Sequence, residues 1–103
     1  MSATSQQNEL WSLYRQGLAS FLGGLERAER EGKLNDAQGF ASLLNLSLTR
    51  YGFSASDLAR EEEISKAAIS KWMHGLALPP APTRKTVVNW IKRKAHEQLN
   101  ELA

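Results

Sequence analysis

Apolar residues recur at three- and four-residue steps along almost the whole chain, and no stretch sustains an alternation of apolar and polar positions. That spacing gathers side chains on one face of an α-helix, whereas a strand alternates with period two. Five helices follow from it. Leu10, Leu13, Tyr14, Leu18, Phe21, Leu22 and Leu25 make the first stripe. Asn8 is positioned to cap that helix, with Glu9 near its positive end. Gly23 and Gly24 each weaken the helix by about 1 kcal/mol relative to alanine, so a bend or break is expected there. The charged segment Glu26 to Glu31 reads as solvated, and Gly32 as a stop. Asn35 is the expected cap of a second helix, running to about Tyr51. Its buried face is Ala37, Phe40, Leu43, Leu44 and Leu48, and Gly52 follows the last turn, where a left-handed residue is common.

The next two helices are short and close together. Ser54-Ala55-Ser56-Asp57 fits a capping box, in which a hydroxyl and a carboxylate satisfy free amides at a helix start. Leu58, Ala59 and Ile64 face inward. Ser65 caps a fourth helix that ends near His74, with Gly75 after it. Ile69 and Trp72, three apart, give this helix its inner face. What remains outside is Ser65, Lys66, Ala67, Ser70 and Lys71: small, polar, basic and free of acid. Leu78-Pro79-Pro80-Ala81-Pro82 is expected to be non-helical, because proline lacks the amide donor and restricts the residue before it. Thr83 is the expected cap of a fifth helix, with Val87, Val88, Trp90, Ile91, Ala95, Leu99 and Leu102 on its apolar side.

Composition narrows the class. A chain of 103 residues fits one core with arms. No cysteine is present, which excludes disulfides and thiolate metal sites. His74 and His96 are too far apart, and too poor in neighbouring acids, to suggest a metal pair. No apolar run approaches the ~20 residues of a membrane span. The N-terminus lacks a basic and an apolar region, so a signal peptide is not expected. No nucleophile–base pair or phosphate-binding glycine loop appears, and neither an enzyme nor a cofactor is expected. The net charge of +2 is unevenly spread. From Ser54 to His96, eight basic residues face four acidic ones, a modest hint of a nucleic-acid face.

The segment Ser54 to Gly75 resembles the helix-turn-helix of Xre/Cro/C1-type phage and bacterial repressors. Leu58-Ala59, Ile64-Ser65, Ile69-Ser70, Trp72 and Gly75, with a proline-containing loop after them, carry the resemblance. It implies an all-α, five-helix, lambda-repressor-like DNA-binding domain over 34–103, with 1–33 as an additional amphipathic helix. It also implies a cytoplasmic, bacterial or phage-encoded protein associated with the nucleoid. By position, Lys66, Ala67 and Lys71 fall where the family contacts base edges, and Ser65 and Ser70 where it contacts bases or phosphate. Ser54 and Ser56 fall near a phosphate, and Arg84 and Lys85 near the opposite backbone; His74 is a further phosphate candidate. Two positions depart from the pattern. Glu63 stands where the family has a turn glycine, and Glu62 where it has an apolar residue; the three acids Glu61 to Glu63 are expected to point away from DNA.

The function these expectations describe is a sequence-specific regulator of transcription, a repressor in preference to an activator. It reads the major groove of a palindromic operator as a homodimer. Two surfaces are available for pairing: the N-terminal stripe with Trp11 and Phe21, or the last helix with Trp90, Ile91, Leu99 and Leu102. The first is favoured, and it also suits a protein partner. The alternative class is an antitoxin or anti-activator that keeps the helix-turn-helix mainly as a scaffold. Trp72 is expected to pack, and Trp11 and Trp90 to pack or to form part of an oligomer contact. Lys92-Arg93-Lys94 reads either as a backbone contact or as the wet side of a helix.

Overall fold

A computed structural model describes residues 2–101, with side chains from Glu9 onward. Among the described residues the chain is all-helical, without strands. The elements are α1 (Ser2–Arg30), α2 (Ala37–Asn45) continued by a π-helical turn (Leu46–Arg50), α3 (Ala55–Glu61), α4 (Lys66–Met73) and α5 (Ala81–Glu101).

One apolar core joins them. Leu18, Phe21, Leu22 and Leu25 of α1 share it with Phe40, Leu43 and Leu44 of α2, Leu58 of α3, Ile69 and Trp72 of α4, and Val87, Val88, Trp90 and Ile91 of α5. Leu18 to Leu25 of the expected N-terminal extension therefore share the core of the helices that follow. Each buried Leu, Ile or Phe contributes about 1.5–3 kcal/mol of transfer free energy. Aromatic rings meet edge-on inside: Trp72 stands against Phe40 at 6.1 Å, and Trp90 against Phe53 at 6.3 Å. α1 and α5 run in opposite directions, with Tyr14 Oη donating to Gln98 Oε1 at 2.6 Å and Glu29 paired with Lys92 further along. α2 packs against α4.

Helix ends follow from local chemistry. Asp36, Ser54 and Ser65 cap α2, α3 and α4, their side-chain oxygens accepting the amides of Gly39, Asp57 and Ala68. At the other ends α3 and α4 close by the same Schellman motif. The Ile64 amide donates to Ala59 O, and the Leu76 amide to Lys71 O. This motif needs a left-handed residue just past the helix. Gly75 supplies it for α4 at φ 69°, and Glu63 supplies it for α3 at φ 54°. Gly39 has a different reason to lack a side chain, since a Cβ there would lie 1.9 Å from the Lys33 carbonyl oxygen.

Several expected boundaries shift. α1 is already helical at Asn8, which therefore does not cap it, and it passes through Gly23 and Gly24 unbroken. The stripe of Leu18 to Leu25, held against α2 and α5, outweighs the low propensity of two glycines. Asp36, not Asn35, caps α2. Asp57 makes only half a capping box: its amide bonds to Ser54, while its carboxylate turns to Arg60 at 2.9 Å. α5 starts at Ala81 rather than after Thr83. Pro82 lies in its first turn, where the amide it lacks would have no partner anyway. Leu102 lies outside the described residues.

Candidate nucleic-acid interface

The outer face of α4 exists because its inner face is anchored on three sides. Ile69 and Trp72 are buried against α2, and Ala59 of α3 is small enough for close approach. Asn45 fixes the far end. Its amide nitrogen donates to Ala41 O at 2.8 Å in its own helix and to Met73 O at 2.7 Å at the end of α4. Gln38 closes over Gly75, with its Nε2 3.3 Å from where a Cβ would stand. These contacts leave Ser65, Lys66, Ala67, Ser70 and Lys71 exposed along one side. Among the described residues, neither Lys66 nor Lys71 has a carboxylate within 4 Å.

The acids of the turn are drawn the other way, toward α5. Glu61 Oε1 accepts the indole N–H of buried Trp90 at 3.0 Å, and Glu61 also pairs with Lys94 at 3.2 Å. The Trp90 hydrogen bond, followed by the bond and charge of Lys94 and the charge of Arg60, holds the Glu61 carboxyl below the usual carboxylate range. Glu62 pairs with Arg93 at 3.2 Å. At the position where the resemblance implies an apolar residue, Glu62 is thus half-buried and ends on a guanidinium of α5. Glu63 remains exposed.

Lys92, Arg93 and Lys94 are thereby accounted for. Lys92 is paired with Glu29, Arg93 with Glu62, and Lys94 with Glu61. Each of these three bases faces an acid of its own chain.

The phosphate candidates divide into two groups. Ser54, Ser56, Ser65 and His74 are exposed on α3 and α4 or at their ends. Ser54 and Ser65 spend an oxygen lone pair on capping and keep the hydroxyl proton for a phosphate. His74 Nδ1 lies 2.7 Å from Ser70 O, which places the proton on Nδ1 and leaves Nε2 outward. Arg84 and Lys85 are separate. Arg84 is half-buried, and its Nη1 donates to Pro79 O at 2.7 Å, closing the proline loop. Both line a hollow of about 300 Å³ with Glu29, Leu34 and Asn35, on the side of α5 toward the α1–α2 connection.

Sequence reasoning missed Asn45, Ser47 and the Glu61–Trp90 pair. Ser47 is fully buried, and its hydroxyl donates to Leu43 O at 2.8 Å within the π-turn. Polar residues in an otherwise apolar helix were the only signal for Asn45 and Ser47. No group of His, Asp and Glu among the described residues is arranged to hold a metal ion. No helix among them is long and apolar enough to cross a membrane. Comparisons with protein-family models, curated proteins and solved structures return no match for this chain.

Proposed function

We propose that this chain is a sequence-specific double-stranded DNA-binding regulator with a lambda-repressor-like fold, acting chiefly as a repressor. In this reading α3 and α4 are its helix-turn-helix, and α4 enters the major groove. The observation that carries the proposal is the separation of charge around the turn. Among the described residues Lys66 and Lys71 stand unpaired, amid small side chains on the outer face of α4, while Glu61 and Glu62 are held against α5.

That arrangement suits a groove lined by phosphates. Lysine reaches guanine acceptors or phosphate oxygens, serine bonds to either, and alanine touches a thymine methyl. Lys66, Ala67, Ser70 and Lys71 are the base-reading candidates. Ser54, Ser56, Ser65 and His74 flank them toward the backbone. One helix of eight residues reads only a few base pairs, so specificity calls for two copies on half-sites about 34 Å apart.

Selection of duplexes from a random pool with the full chain tests the proposal. The expected product is a palindromic site whose half-sites lie one helical turn, or a multiple, apart. Failure to enrich any sequence, together with recovery of a stable protein complex, would favour the scaffold role of an antitoxin or anti-activator instead.

A further inference from the structure

His74 closes α4 just past its last turn, and its side chain is exposed. By helical spacing it stands in line with Ala67, Ser70 and Lys71 on the outer face. Its Nδ1 lies 2.7 Å from the Ser70 carbonyl oxygen. A carbonyl only accepts, so Nδ1 carries a proton in the neutral ring as well as in the charged one. The outward Nε2 therefore changes character with charge. In the neutral ring it is a lone pair that accepts; in the imidazolium it is an N–H that donates. Phosphate oxygens also only accept. A neutral His74 turns a lone pair toward a polyanion, whereas a charged one offers it a donor and a positive charge.

The surroundings supply no counter-ion. Among the described residues, no carboxylate oxygen lies within 4 Å of a ring nitrogen of His74. On its own helix the charged neighbour is Lys71, one turn back. α2, packed against this end of α4, presents amides: Gln38 over Gly75 and Asn45 on Met73 O. The charged residues at the ends of α2 and its π-turn are Asp36, whose Oδ1 accepts the Gly39 amide at 2.7 Å, and Arg50 at the far end. The loop over 75–80 carries no charge, and Arg84 beyond it is drawn to Pro79 O. On α3, Asp57 pairs with Arg60 and Glu61 with Lys94. Glu62 pairs with Arg93, and Glu63 precedes the opposite end of α4. A counter-ion for the imidazolium is thus left for a ligand to provide.

Resting on the reading of α4 as a groove-binding helix, we infer that His74 is a phosphate ligand only when protonated, so that this chain takes up a proton as it binds duplex DNA. The coupling is reciprocal: the duplex favours the imidazolium, and acid favours the duplex. Ser70 is the positioning residue, because its carbonyl oxygen turns Nε2 outward and withholds a proton from it until the ring is charged. Histidine is the side-chain type that ordinarily changes charge between pH 5 and 8. The chain has two, and the other, His96, is exposed on α5 and serves as a control.

Affinity of the full chain for the duplex selected from the random pool, measured over a range of salt at about pH 7.5 and about pH 5.5, tests it. The parent is expected to bind about five- to tenfold more tightly in acid, with a salt slope steeper by about 0.9, the signature of one added phosphate contact. His74→Gln, exposed and uncharged at both pH values, should lose both changes while keeping its circular dichroism. His96→Gln should keep them. The ring nitrogens give a second readout without DNA: nitrogen-15 spectra of the free chain at about pH 7.5 should place the single proton of His74 on Nδ1. A parent and His74→Gln with the same response to pH overturn the inference. So does affinity that falls in acid, or a neutral His74 with its proton on Nε2. Salt-sensitive binding that ignores pH defeats this inference alone. Failure to bind any duplex at either pH defeats the DNA reading and this one with it.

Discussion

Glu63 carries the clearest conflict between a residue and its place. The Schellman closure of α3 demands a left-handed residue, and glutamate takes φ 54° to meet it. Left-handed backbone costs an L-residue about 1–2 kcal/mol, part of which glycine returns through its larger entropy when unfolded. Glu63→Gly is therefore expected to stabilise the fold by about 0.5–1 kcal/mol, measured by urea titration. Equal or lower stability would mean that the exposed carboxylate makes up for the strain. The same substitution removes a negative charge near the proposed groove, so it should also tighten duplex binding. Gly75 meets the same demand at α4 without strain, and glycine at that position was legible in the sequence where glutamate in the turn was not.

At the scale of elements, α3 is held to α5 by polar contacts as well as by apolar ones. Glu61 links them, receiving Trp90 and Lys94. Its lowered pKa stabilises the native state while the carboxylate is ionised. That contribution is present above the ordinary carboxylate range and drains away as pH falls from about 4.3 through the depressed value. Melting temperature against pH checks this. The parent should lose more stability in acid than Glu61→Gln, which keeps an oxygen acceptor for the indole but cannot titrate. Parallel curves would show that the pairing has no energetic weight. α1 supplies a second test. A methyl group at Gly23 meets no atom within 4 Å, so Gly23→Ala adds helix propensity without a clash. A gain of about 0.5–1 kcal/mol is expected in thermal or urea melts; a loss would mean that α1 bends there in solution.

Across the whole molecule, legibility followed the reach of each interaction. The apolar stripes marked α1, α2, α4 and α5, because burial repeats along one helix with its own period. The caps Ser54 and Ser65 were legible because they act three residues away. Proline rules misplaced the start of α5, since Pro82 in a first turn costs nothing that a proline run reveals. The long-range partners of Glu61, Glu62 and Asn45 lie 28 to 33 residues distant, and no local pattern encodes them. The ion pairs of Lys92, Arg93 and Lys94, which span 31 to 63 residues, are equally invisible to a local reading. Among the described residues, acids and bases are matched between α3 and α5, the two lysines of α4 have no carboxylate partner, and the apolar side chains Leu10 and Trp11 of α1 are exposed.

The central claim is that the outer face of α4 reads duplex DNA, and affinity for the selected duplex at several salt concentrations tests it most directly. The comparison is between the parent, Lys66→Ala/Lys71→Ala, and Arg15→Ala on the exposed side of α1. The parent should lose affinity linearly in log salt, by a slope near −0.9 per phosphate contacted. The double variant should bind about 1–3 kcal/mol more weakly per lysine, roughly thirtyfold to ten-thousandfold in total if the two add, with discrimination between sites reduced. Arg15→Ala should match the parent. A double variant that binds the duplex as tightly as the parent, with the same salt slope, would contradict the assignment of α4 as the reading helix.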